Sequence, residues 1–202
     1  MISSRLVKKN KPTVLILLLL PSFIWVGMFV GENLGVNPID ILMDKLGEMS
    51  LRLLFLVLII SSLSEFTFLR SLQHLRRLIG LVAFYYLFLH LTCYVFLDHF
   101  FNFSFILKDV IKRPFITFGF IGFVLLLPLV FTSTNNMVKK LTFKVWKKIH
   151  YLIYLVIFLG ILHFYLLTKA DKTEPLIYLG IVIFIIFLRV YKKIFTRRVA
   201  QQ

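Results

Sequence analysis

Six apolar runs, each close to the length of a membrane-crossing helix, take up most of this 202-residue chain. They lie at about 14–30, 51–69, 78–97, 115–131, 149–168 and 176–191, and a bilayer core of about 30 Å needs around 20 helical residues to cross it. Inside hydrocarbon every backbone N–H and C=O must find its partner within the segment, so such runs become helices and not open sheets. The chain is therefore predicted to be an all-α, six-helix membrane bundle, a single domain over 1–202 with no room for a separate soluble catalytic domain. Its 59% hydrophobic and 16% charged content agrees with that reading, because a soluble domain carries about 25% charged residues.

A net charge of +15 invites a nucleic-acid reading, which the distribution of the charge opposes. Lys and Arg sit in short clusters between the apolar runs, such as Lys8-Lys9, Arg76-Arg77, Lys139-Lys140, Lys147-Lys148 and Arg197-Arg198. With both termini cytoplasmic, 17 of the 24 Lys and Arg residues fall on the cytoplasmic side and 7 on the other, the asymmetry expected of retained positive loops. The segment 31–50 then reads as an outer loop carrying Glu32, Asp40, Asp44 and Glu48. The first run follows Arg5, Lys8, Lys9 and Lys11 as a signal peptide would, but no small-x-small site follows it, so it is expected to stay as a helix. Cys93 is the single cysteine, which excludes an intrachain disulfide and a CxxCH haem attachment.

Ionisable side chains deep in hydrocarbon cost several kcal/mol unless partnered, so each is a functional candidate. Glu65, Asp98 and Arg189 lie near run ends, where local pairing and snorkelling account for them. His90 and His163 lie deeper. At 1.5 Å per residue His90 stands about 18 Å along the third run and His163 about 21 Å along the fifth. Both runs enter from the same side, so the two imidazoles share one level, in the outer half of the membrane. Two readings are open: the pair supplies both axial nitrogens of a haem iron standing between helices, or each ring is neutral and bonded to a nearby carbonyl or hydroxyl, such as Thr92 or Tyr165.

His150 precedes His163 by thirteen residues, about 20 Å along the axis but about 140° apart in direction on an ideal wheel. It is either a ligand at a second, inner level or an interfacial residue beside Lys147 and Lys148. His74 sits near that level in a basic loop and is either a second ligand there or a solvated loop residue, and His99, just beyond the third run, reads as surface. The turn Thr132-Ser133-Thr134-Asn135, followed by Lys139-Lys140, offers hydroxyls, backbone N–H groups and ammonium charge to a phosphate such as that of FMN; equally, it caps the next helix. The 23 Phe and 8 Tyr either wall a porphyrin or pack at lipid-facing positions.

Several ordered motifs carry a resemblance over almost the whole chain. They are Arg76-Arg77-Leu78-Ile79-Gly80-Leu81 leading to Leu89-His90-Leu91-Thr92-x-Tyr94, Arg113-Pro114-Phe115-Ile116-Thr117 with Phe131-Thr132-Ser133-Thr134-Asn135, Trp146-x-x-Ile149-His150-x-x-x-Tyr154 leading to His163-Phe164-Tyr165, and Pro175-Leu176-Ile177-Tyr178. The pattern resembles the MsrQ (YedZ) family, haem-binding membrane subunits of bacterial methionine sulfoxide reductase systems, related to the ferric reductase and NADPH oxidase transmembrane domain.

The resemblance implies a b-type cytochrome of the bacterial inner membrane, with one haem or two held by His90, His150 and His163, and FMN as an associated cofactor. It implies electron flow from a cytoplasmic flavin reductase or a membrane quinol to a periplasmic molybdenum subunit, MsrP, which repairs oxidised periplasmic proteins. The wider family pairs histidines on the third and fifth helices; here the position fourteen before His90 is Arg76, so the inner pair is incomplete. On this reading the chain does not reduce methionine sulfoxide by itself. Two other classes compete: a small transporter, which would usually place carboxylates or broken helices near the midplane, and a membrane scaffold without a cofactor.

Overall fold

A computed structural model describes residues 3–64 and 67–199, and among these every regular element is helical. The α-helices are α1 (Ser4–Lys9), α2 (Lys11–Val30), α3 (Pro38–Leu63), α4 (Gln73–Thr92), α5 (Phe103–Lys112), α6 (Pro114–Phe131), α7 (Asn135–Lys140), α8 (Phe143–His150), α9 (Leu152–Leu167) and α10 (Thr173–Val199). A 3₁₀ segment (Thr67–Leu72) leads into α4, and a π-helical segment (Cys93–Asp98) continues it. Among the described residues six stretches are long and apolar enough to cross a bilayer: Lys11–Val30, Pro38–Leu63, Leu69–Asp98, Pro114–Phe131, Phe143–Leu167 and Thr173–Tyr191.

Five of the six lie where the hydropathy pattern expects them, starting between one and nine residues earlier. The second does not. It begins at Pro38 and ends at Leu63, whereas the sequence reading gave 51–69 and assigned 31–50 to a loop. The reason is amphipathicity. Leu42, Leu46 and Ser50, spaced four apart, are buried in the bundle, while Asp40, Asp44 and Glu48 form another row of the same helix, so averaging over both faces hides an ordinary helical stripe. Pro38 at the first turn and Asp40 within it suit a helix N-terminus. Glu65 lies outside the described residues.

Two helix pairs make the scaffold: α3 packs on α4, and α6 on α9, with α2 against α4 and α10 against α9. Two buried hydroxyls tie helices of the core together. The Ser50 hydroxyl donates to the Ala83 carbonyl at 2.9 Å, joining α3 to α4. Tyr86, fully buried, donates to the Leu18 carbonyl at 2.7 Å and so ties α4 to α2. Such bonds matter because an unpaired buried hydroxyl costs about 1–3 kcal/mol.

Candidate functional site

His90 sits in the last turn of α4 and His163 near the end of α9, one on each helix pair. Their ring centroids are 6.2 Å apart and their planes nearly perpendicular, at 89°. Each ring is fixed by the partner helix of its own pair. His90 Nδ1–H donates to the Met43 carbonyl of α3 at 2.9 Å, and His163 Nδ1–H donates to the Phe115 carbonyl of α6 at 2.6 Å. A carbonyl oxygen only accepts, so the proton is on Nδ1 in both rings and each Nε2 keeps its lone pair.

Glycine makes these contacts possible. A Cβ at Gly47 on α3 would stand 3.0 Å from His90 Nδ1, and one at Gly119 on α6 would stand 2.8 Å from His163 Nδ1. Both imidazoles therefore lie directly on a neighbouring helix backbone, at positions where any side chain would push them away. Of the two bonding partners considered from sequence, Thr92 instead donates to the Phe88 carbonyl at 2.8 Å, and the Tyr165 carbonyl accepts from Lys172 Nζ at 2.7 Å.

With a metal–nitrogen bond of about 2 Å and a ring centre about 1.1 Å behind its nitrogen, two imidazoles on opposite sides of one metal have centroids about 6 Å apart. The observed 6.2 Å matches that span. Among the described residues no group of three or more His, Cys, Asp or Glu is placed to hold a metal ion.

His150 lies at the other end of the bundle, closing α8. Its ring stacks on Trp146 with centroids 4.0 Å apart, and its Nδ1–H donates to the Trp146 carbonyl at 3.1 Å. The Ser133 hydroxyl gives its one hydrogen to the Leu129 carbonyl at 2.7 Å, so it has none for His150 Nε2, 3.5 Å away. His150 lines a cavity of about 1070 Å³ together with Arg76, Arg77, Lys147, Tyr154 and Arg189. Arg189 reaches it from α10, donating through Nε to the Ser62 hydroxyl at 2.9 Å and through Nη1 to the Tyr154 hydroxyl. His74 is in the first turn of α4 and not in a loop, within electrostatic range of Lys8 and Lys11.

The Thr132–Asn135 turn is occupied with local bonds. Thr132 Oγ1 donates to the Pro128 carbonyl at 2.6 Å, Ser133 Oγ bonds as above, and Thr134 Oγ1 caps α7 by accepting from the Met137 N–H at 3.3 Å. Asn135 Oδ1 accepts from Arg77 at 2.5 Å. The capping role is thus present in the geometry.

His99, read from sequence as surface, is a correction: its side chain is only 8% exposed, with Nε2 3.2 Å from Asp109 Oδ2. Backbone turning around Phe100 and Phe101 brings α5 back so that Asp109 meets Tyr94 and His99, a reversal that no short-range pattern around His99 announces.

Residues 46–161 match the model of the family described as ferric reductase like transmembrane component. The chain is 45% identical over 168 residues to the protein-methionine-sulfoxide reductase heme-binding subunit MsrQ of Caulobacter vibrioides, covering 83% of this chain and 79% of that one. To the subunit of the same name from Rhodospirillum rubrum it is 42% identical over 184 residues, 89% of this chain and 86% of the relative. A further relative, the magnetosome protein MamZ of Magnetospirillum gryphiswaldense, is 37% identical over 189 residues, which are 90% of this chain but 29% of that longer protein. With family match, relatives and six apolar helices in agreement, the chain belongs to the ferric reductase-like transmembrane family and, within it, to the multi-pass membrane proteins of the MsrQ group.

Proposed function

We propose that this chain is the haem-binding, electron-carrying membrane subunit of a methionine sulfoxide reductase system, with His90 and His163 as the two axial ligands of a b-type haem. The observation that carries the proposal is the 6.2 Å separation of two imidazoles whose Nδ1 atoms are both tied to backbone carbonyls. Two nitrogens alone do not complete a metal's coordination sphere. A porphyrin supplies four more, which suits a site built of two histidines in an apolar seam.

The haem, when bound, supplies one-electron chemistry at a potential set by its ligands and surroundings. What the chain contributes is position and environment. The Met43 and Phe115 carbonyls fix the tautomer and rotation of each ring, as outer partners of metal-bound histidines commonly do. Gly47 and Gly119 let the rings lie flush on α3 and α6. With His90 and His163 holding it, the haem would serve electron transfer rather than oxygen activation or turnover of methionine sulfoxide by the chain itself.

Both termini are assigned to the cytoplasm of a bacterial inner membrane on the Lys and Arg asymmetry. The His90 and His163 end then faces the periplasm, where a molybdenum subunit of the MsrP kind is the proposed electron acceptor. The opposite end faces a cytoplasmic flavin reductase or a quinol as donor. His150 is proposed as a ligand at that inner end, since among the described residues it is the histidine that lines the cavity there. FMN enters from the family resemblance, and residues Thr132 to Asn135 are not assigned to it because their side chains already serve α6, α7 and Arg77.

The direct test is the spectrum of purified protein expressed with ample haem. A Soret band with a split visible band on dithionite reduction is expected. Colourless protein overturns the proposal in favour of a transporter or a scaffold.

A further inference from the structure

Between the third and fourth membrane-crossing stretches lies α5, ten residues long and amphipathic. At 1.5 Å per residue it spans about 15 Å, half of a bilayer core, so it cannot cross. Nor can it leave the membrane surface, because only Arg113 separates its last residue from Pro114, where the fourth stretch begins. Its N-terminus is held as closely. The third stretch ends at Asp98, and the turn that follows places Phe100 and Phe101 in the left-handed region, with φ of 44° and 60°. Two consecutive phenylalanines in that region are strained, and such conformations persist only where the surroundings enforce them. Asn102 then caps α5 by accepting from the Phe105 N–H at 3.2 Å.

One side of α5 is anchored to the bundle through Asp109, which is 6% exposed. Its carboxylate faces His99 Nε2 at 3.2 Å and Arg113 Nε at 3.2 Å, and accepts from the Tyr94 hydroxyl at 3.4 Å. That anchor fixes the rotation of the helix and leaves a defined face outward. Phe103, Leu107 and Ile111, spaced four apart, are 67%, 62% and 72% exposed, and Lys108 and Lys112 form the adjacent exposed row. The stripe continues into Phe100 and Phe96, both exposed, the latter within the third stretch.

From this we infer that α5 lies in the plane of the membrane interface, with Phe103, Leu107 and Ile111 set into the acyl boundary and Lys108 and Lys112 on anionic phospholipid headgroups. The bilayer is the occupant that connectivity, continuity with the apolar belt and charge all select: an apolar stripe beside a cationic row is the pattern of an interfacial helix. By fixing the surface at the end of the bundle that holds His90 and His163, α5 also sets how near a water-soluble partner can come to that end.

The test uses the full chain in nanodiscs containing phosphatidylglycerol, with Leu107→Cys, Ile111→Cys and Ser104→Cys variants each carrying an NBD label. The parent chain, whose lone Cys93 is buried, supplies the labelling background. Labels at 107 and 111 are expected to be quenched about threefold more by lipids bearing a nitroxide at carbon 5 than the label at 104, which water-soluble nickel chelate should quench preferentially. The inference is overturned if nickel reaches all three labels equally, or if 107 and 111 become shielded only when a second copy of the chain or a soluble protein partner is added.

Discussion

The ring of His163 rests on the backbone of Gly119 with no room for one more carbon: a Cβ at 119 would stand 2.8 Å from Nδ1. Gly119→Ala must therefore push the imidazole off its seat or part α6 from α9, an overpacking that costs about 1–3 kcal/mol. Purified Gly119→Ala protein is expected to carry less haem than the parent, read by pyridine haemochrome. Gly47→Ala, where the gap to His90 is 3.0 Å, should show the same loss to a smaller degree.

Removing the ligands themselves separates the two ends of the bundle. His90→Ala and His163→Ala are each expected to abolish the bis-imidazole spectrum, since either leaves a single nitrogen on the seam. His150→Ala acts at the far end, on the cavity beside Trp146, and should lower haem content less. Equal haem in all three variants would defeat the assignment.

Asp109 accepts from several donors in a setting that water hardly reaches. Asp109→Ala leaves His99, Tyr94 and Arg113 without their shared acceptor, and an orphaned buried polar group costs about 1–3 kcal/mol. A lower unfolding temperature in detergent is expected, with haem per folded protein unchanged because α5 lies outside the seam. Loss of haem without loss of stability would contradict the division between the two.

Thr134→Ala distinguishes a cap from a phosphate site. Its hydroxyl accepts from the Met137 N–H at the start of α7, and losing such a cap costs about 1 kcal/mol. Thermal stability should fall by that amount while flavin released on denaturation stays the same. A drop in flavin content would return the turn to the list of cofactor contacts.

Much of this arrangement is legible in the sequence, and what is not has a physical cause. The spans at 14–30 and 115–131 stand out because Leu, Ile and Phe surround those helices on every side. The span at 38–63 is hidden because Asp40, Asp44 and Glu48 dilute the Leu42, Leu46 and Ser50 row when both faces are averaged together. His90 and His163 can be matched by depth alone, because rise per residue is a constant of the helix. Gly47 and Gly119 cannot be singled out that way. A helical glycine reads only as a propensity cost, and the ring that needs it arrives from a distant part of the chain. His99 fails for the same reason, its partner Asp109 being delivered by a reversal at Phe100 and Phe101.

Each imidazole is seated within its own helix pair: His90 of α4 on α3, and His163 of α9 on α6. Neither anchor bridges the two pairs, so whatever fastens His90 to His163 also fastens one half of the molecule to the other. Iron would then act as a rivet as well as a conductor.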